Sequence, residues 1–148
     1  MDDTLLQVCY ISRRADGVSD DDVVTHIVLP AMLRNRWQDI TGCLWFDEDH
    51  FLQVLEGPAV ETSSMMDRIL TDDRHLEVDV VSEHAVRRRH FARFSMRMLH
   101  TARPASVAEL VESRAKPSEP RNASIGDTRG LLSRVVDELA RWPLMPAT

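Results

Sequence analysis

The sequence predicts an α+β fold, and three observations carry that reading. Segments with period-two apolar alternation and segments with helical apolar spacing follow one another as strand, helix, hairpin, helix, strand. The short acidic turn Asp47-Glu48-Asp49 joins the two middle strands directly, as a hairpin requires. A further strand-like segment, "FARFSMRML", follows the last of these. Together they give the βαββαβ order of a ferredoxin-like sheet extended by a fifth strand.

The first strand is "LLQVCYIS", with Leu6, Val8, Tyr10 and Ser12 on one face and Leu5, Gln7, Cys9 and Ile11 on the other. Gly17 falls in a turn, and Ser19 or Asp20 caps a helix with acids in its first turn. Val23, Val24, Ile27, Val28, Ala31 and Met32 form that helix's apolar stripe. Pro30 interrupts it and predicts a kink, because proline lacks the N–H that the ladder needs. "ITGCLWF" and "HFLQVLEG" make the hairpin, and a second helix after Pro58 carries Val60, Met65, Met66, Ile69 and Leu70. "HLEVDVVS" is the fourth strand. In the fifth, Phe94, Met96 and Met98 share a face.

Right-handed crossovers put both helices on one face of this sheet. The other face is apolar too, through Cys43, Trp45, Leu52 and Val54, and needs a cover. The C-terminal segment supplies a candidate: Ser106-Val107-Ala108-Glu109 has the form of a capping box. Residues 114–126 read as a linker. A helix starting at Asp127-Thr128-Arg129-Gly130 then carries Leu131, Leu132, Val135, Val136, Leu139 and Trp142. The expected division is a domain over 1–100 and a helical extension over 101–148 that packs on the sheet.

Composition narrows the function. The 148 residues carry a net charge of −6, and the lone basic run Arg87-Arg88-Arg89-His90 reads as solvated surface, so direct nucleic-acid binding is not expected. No segment is long and apolar enough to span a bilayer, and no signal peptide is seen at the start, which points to a cytoplasmic protein. Cys9 and Cys43 lack CxxC spacing and read as buried thiols. The six histidines show no ligand-pair spacing, so no metal is expected. Nucleotide loops of the GxGxxG and GxxxxGK[ST] kinds are absent. Ser12 has no identifiable His and Asp partners. Arg68 and Asp72, four apart, read as an exposed helix pair. Trp37 and Trp45 read as packing or rim residues.

Gln53 admits two readings. Gln53 shares a face with Phe51 and Leu55, and a buried amide costs free energy unless it is hydrogen-bonded. The first and third strands are neighbours in this order, so Tyr10 and Gln53 can meet. A phenol cannot use all of an amide's donors and acceptors. Backbone or water can take the rest, or a planar ligand with polar edges can lie between the helices and this face, with Asn35 offering a second amide.

Five segments, "CYIS", "RNRWQDITGCLWF", "HFLQVLEGP", "DRILTDDRH" and "RRRHFARFSM", resemble in order and spacing the BLUF family of blue-light receptors that use flavin. The resemblance covers roughly residues 4 to 100. It implies that Tyr10 is the photoactive tyrosine, which gives an electron and a proton to excited flavin. It implies that Gln53 lies between Tyr10 and flavin N5/O4, and that Asn35 meets the O4/N3 edge. Met96 becomes the fifth-strand methionine of the signal relay. Arg68 and Asp72 fall near the O2 edge, Ile27 against the ring, Arg34 beside Asn35, and His75 in the surroundings. The implied cofactor is FAD, or else FMN or riboflavin. The implied mode is that of a short stand-alone, non-enzymatic photoreceptor that signals to a separate effector protein and forms a homo-oligomer. Phe94 stands where many members have tryptophan, Arg34 and Ala31 replace polar residues, and Pro30 is unusual. Two readings without flavin remain: a light-insensitive interaction module, and a small ferredoxin-like enzyme of acylphosphatase type, for which no phosphate loop is found.

Overall fold

The computed structural model describes residues 4–100, 102–114 and 125–142, with the backbone alone at 114 and 125–129. Two compact units divide the chain, Met1–Thr101 and Ala102–Thr148.

The first unit is a five-stranded mixed sheet in the order β4-β1-β3-β2-β5. Its strands are β1 (Leu5–Arg14), β2 (Thr41–Phe46), β3 (His50–Pro58), β4 (His75–Val86) and β5 (Arg97–Leu99). β3 runs antiparallel between β1 and β2, β4 pairs antiparallel with β1, and β5 adds to β2 in parallel. This is the ferredoxin-like order with a fifth strand. Asp47 closes the β2–β3 hairpin: its carboxylate accepts the Asp49 and His50 N–H groups, and its own N–H donates to the His50 carbonyl.

Between β1 and β2 the chain is helical throughout: α1 (Asp20–Asp22), a π-helical stretch (Val23–Val28) and α2 (Leu29–Gln38). Ser19 and Asp22 form a reciprocal capping box at the start. Pro30 makes its mark as the π-helical stretch just before it, where Leu29 N–H reaches back five residues to Val24. A proline has no N–H for the carbonyl four residues back and its ring crowds that carbonyl, so a wider turn relieves both problems. That carbonyl belongs to His26, and the Arg74 guanidinium donates to it at 2.6 Å.

Helix α3 (Ala59–Leu70) joins β3 to β4. One core cluster brings together Val8, Tyr10, Val23, Val28, Leu44, Phe46, Phe51, Leu55, Met65, Met66 and Met96. Both crossovers therefore pack on the face that carries Tyr10 and Gln53. On the opposite face Cys9, Cys43, Trp45, Leu52 and Val54 are fully buried as well. Gly42 permits the close β2–β3 approach, since a Cβ there would lie 2.1 Å from the Val54 carbonyl oxygen.

Several expectations need correction. β1 extends to Arg14 and β4 to Val86, while β5 begins only at Arg97. Phe94 and Met96 thus lie in an irregular turn before the strand, closed by Phe94 N–H to the Phe91 carbonyl. Met96 is buried whereas Met98 is substantially exposed, so the two do not share one buried face. Trp37 is 89% exposed at the end of α2, in line with exposed Leu29 and Leu33, so of the two roles expected for it the rim fits and core packing does not.

In the second unit, α4 (Ala105–Arg114) starts before Ser106, which therefore lies in its first turn instead of capping it. The Ser106 N–H and hydroxyl both donate to Glu138. Glu109 pairs with Arg134 of α5 (Ile125–Arg141). α5 begins two residues before Asp127, with Leu131, Leu132, Val135, Val136 and Leu139 buried. Most of the expected linker lies outside the described residues. Among the described residues no helix is long and apolar enough to cross a membrane.

Candidate functional site

β1 and β3 pair in the register that sets Tyr10 directly opposite Gln53. Directly paired residues point to the same side of a sheet, so a phenol and an amide meet on the helix-covered face. Tyr10 is fully buried and Gln53 nearly so, and the Tyr10 hydroxyl donates to Gln53 Oε1. The other end of the amide donates from Nε2 to Met96 Sδ at 3.4 Å. Tyr10, Gln53 and Met96 thus form a chain with one direction: O–H to carbonyl, N–H to sulfur. Burial, with smaller contributions from Asp72 and Cys9, pushes the Tyr10 pKa well above the usual phenol value. Tyr10 is therefore a donor at neutral pH.

Asn35 comes to the same region from the last turn of α2. Its Nδ2 donates to the Ser95 carbonyl at 2.8 Å, one residue before Met96. Its Oδ1 is buried with no hydrogen-bond partner among the described residues. A buried amide oxygen without a donor is the exception that calls for a ligand or ordered water.

His75, at the start of β4, completes the wall. It is buried, lies edge-on to the Tyr10 ring at 5.8 Å and tilts against Phe51 at 4.5 Å. Its Nδ1 shares a 2.9 Å hydrogen bond with the Ser12 hydroxyl. Ser12 thus has a histidine partner that the sequence did not reveal, because 63 residues separate them. Burial lowers the His75 pKa to about 4, so the ring is neutral at physiological pH.

The arginine and acid of this region pair differently from the sequence reading. Asp72 bonds to Nε and Nη2 of Arg74 at 2.8 and 2.7 Å, and Arg68 is exposed. α3 ends at Leu70, so Asp72 lies in the following turn and Arg68 and Asp72 are no longer helix neighbours. Burial works against the Asp72 charge, but Arg74 outweighs it and holds the carboxyl below its ordinary range. Arg34 is also exposed on α2, away from the buried set, while Ile27 is half-buried against the core.

Two features escaped the sequence reading. Arg74 serves both Asp72 and the His26 carbonyl, yet it stands within "DDRH" in plain view. Glu56 is fully buried, and period two along "FLQVLEG" already placed it on the face opposite Gln53. Phe94, in place of tryptophan, is half-buried with the Arg97 guanidinium 5.4 Å from its ring centroid.

A flavin fits the side chains present. Asn35 Oδ1 is an unmet acceptor for a ring N–H, Gln53 has a second amide hydrogen to offer a ring acceptor, and apolar groups of both helices lie around them. The fold and site define a small α+β domain with a buried phenol hydrogen-bonded to a buried amide on its helix-covered sheet face. The chain belongs to the BLUF family, the sensors of blue light using FAD, whose model matches residues 5–97.

Relatives agree. The chain is 37% identical over 76 residues to the blue light- and temperature-regulated antirepressor BluF of Escherichia coli, covering 49% of this chain and 19% of that protein. It is 38% identical over 80 residues to photoactivated adenylate cyclase subunit beta of Euglena gracilis, covering 54% and 9%. The chain therefore spans a fifth or less of these relatives. Among solved structures, BlsA in its photo-activated state superposes with a TM-score of 0.75 at 20% identity, over 97% of this chain and 99% of that one. The dark-state structure of BlrB, a BLUF protein, gives 0.69 at 24%, over 90% and 95%. At these identities the two structures speak for the fold.

Proposed function

We propose that this chain senses blue light by itself, without an enzymatic step, and stores the signal in the orientation of the Gln53 amide. The observation that carries this is the Tyr10–Gln53–Met96 chain, with the unmet Asn35 acceptor beside it. Bound flavin, on absorbing blue light, becomes a strong oxidant.

Tyr10 would yield the electron to that oxidant, and its phenolic proton would pass along the hydrogen bond to Gln53 Oε1. Both return to Tyr10 when the charge recombines, so no net chemistry remains. The amide has meanwhile been freed from its donor and can settle with its ends exchanged. In that orientation a carbonyl oxygen faces Met96 Sδ where an N–H stood, and the contact to the segment before β5 is lost. Two hydrogen-bond arrangements of one buried amide make a bistable element.

Asn35 would hold the flavin's N–H edge through Oδ1, and His75 would act as neutral packing beside Tyr10. Arg68 and Arg34, both exposed, fit less well as ring contacts than the Asp72–Arg74 pair. We assign FAD as the cofactor, in line with the family description. We further propose a cytoplasmic protein that acts on a separate effector or through self-association. In chain order the output runs from Met96 through β5 into residues 101–148, the helical extension.

The test is the absorption spectrum of the purified chain before and after blue light. A yellow protein with a reversible red shift is the expected result. A preparation that stays colourless after flavin is added refutes the reading and leaves a light-insensitive interaction module.

A further inference from the structure

We infer that Glu56 is a positioning residue for the light signal: its buried carboxylate fastens the segment that delivers Met96 to Gln53. The inference rests on the light-sensing reading above. It starts from a group which that mechanism does not use.

Glu56 is completely buried on the sheet face opposite Tyr10 and Gln53. Its Oε1 accepts the N–H groups of His90 at 2.7 Å and Phe91 at 2.8 Å. Its Oε2 lies 3.0 Å from His90 Nδ1 and accepts Gln7 Nε2 at 2.9 Å. Gln7 is its register partner on β1 and also lies 3.1 Å from His90 Nδ1. Apart from Gln7, every donor to this carboxylate among the described residues belongs to residues 90 and 91, through two backbone N–H groups and the His90 ring. Arg89 adds to the same anchorage, with donations to the Glu56 and Asp39 carbonyls and the Thr41 hydroxyl.

The other end of the segment is held on the signalling face. Gly42 N–H donates to the Phe94 carbonyl, Asn35 to the Ser95 carbonyl, and Gln53 to Met96. Residues 90–96 are thus strung between Glu56 and Gln53, which lie three residues apart on β3 and point to opposite faces. One strand holds the switch and the fixed end of the segment that reads it. A reading segment must be fixed at one end for a lost contact at the other to move it in a defined direction. Two backbone N–H groups donating to one dry carboxylate oxygen give such a fixed point.

The experiment uses the full chain loaded with flavin, as parent, Glu56→Leu and Glu56→Gln. Hydrogen exchange is followed on fragments covering 90–96 and, as a reference, α3. Dark recovery of the light-induced red shift is timed on the same samples. In Glu56→Leu exchange over 90–96 should rise by about tenfold or more while α3 is unchanged, because two backbone N–H groups lose a charged acceptor. Flavin should remain bound, and recovery should change by about threefold or more, the kinetic counterpart of a sub-kilocalorie bias. Glu56→Gln keeps one carbonyl oxygen for both N–H groups and should give intermediate values. If Glu56→Leu fails to fold, Glu56→Gln decides: altered recovery with unchanged α3 exchange supports the inference, and parent-like behaviour overturns it. Exchange that rises equally everywhere, or a loosened segment with unchanged recovery, also overturns it. A parent chain without flavin or red shift instead refutes the light-sensing reading and the readout role with it.

Discussion

Removing the two polar ends of the Tyr10–Gln53 pair separately should cost far more than removing them together. Tyr10→Phe leaves Gln53 Oε1 without its donor in a position only 5% exposed, a loss of roughly 1–3 kcal/mol. Gln53→Leu leaves the Tyr10 hydroxyl without an acceptor at a fully buried site and costs about the same, less what the new aliphatic burial returns. The double variant has no unmet polar group at either position and should lie within ~2 kcal/mol of the parent. The expected coupling is therefore on the order of 1–3 kcal/mol, with the double variant more stable than the sum of the singles. The assay is urea unfolding of the full chain in the dark, with free flavin held at one concentration, since a ligand of the folded state adds stability of its own. Costs that add to within ~0.5 kcal/mol would refute the reasoning, because residues without a shared interaction behave that way.

Three further outcomes follow from the same structure. Gly42→Ala should lower the melting temperature by on the order of 5 °C, because its Cβ meets the Val54 carbonyl and only an opened β2–β3 ladder relieves the overlap; circular dichroism melts check this. His75 has a folded-state pKa of about 4 against 6.5 when unfolded, so the unfolded chain binds the extra proton first. Stability from this group is complete above pH 6.5, falls as pH drops toward 4 by up to ~3 kcal/mol, and should be flat across that window in His75→Gln, as read from denaturant midpoints. Tyr10 is the single tyrosine of the chain, and burial raises its pKa; in alkaline titration phenolate absorption should appear only together with unfolding.

Tyr10 and Gln53 were legible in the sequence because period two assigns a face and the element order makes β1 and β3 neighbours. Neither inference needs tertiary knowledge beyond topology. Pro30 was legible as a disturbance, but the π-helical form it takes depends on how the turn widens and on Arg74 arriving from the turn before β4. The Arg68–Asp72 pair failed because spacing arguments assume a continuous helix, and α3 stops at Leu70. Ser12 and His75 could not be joined from spacing, since their contact spans the β1–β4 ladder. β5 reads longer in sequence than it is, because alternation alone does not register the turn at Phe91–Phe94. Glu56 was there to be read: an acid on an apolar strand face calls for the same question as the amide three residues before it.

The most direct measurement is the light-minus-dark absorption spectrum of flavin-loaded parent, Tyr10→Phe and Gln53→Leu chains. The parent should show a reversible red shift, and both variants should bind flavin in the dark yet show none. A red shift that persists in Tyr10→Phe or in Gln53→Leu would contradict the phenol–amide switch.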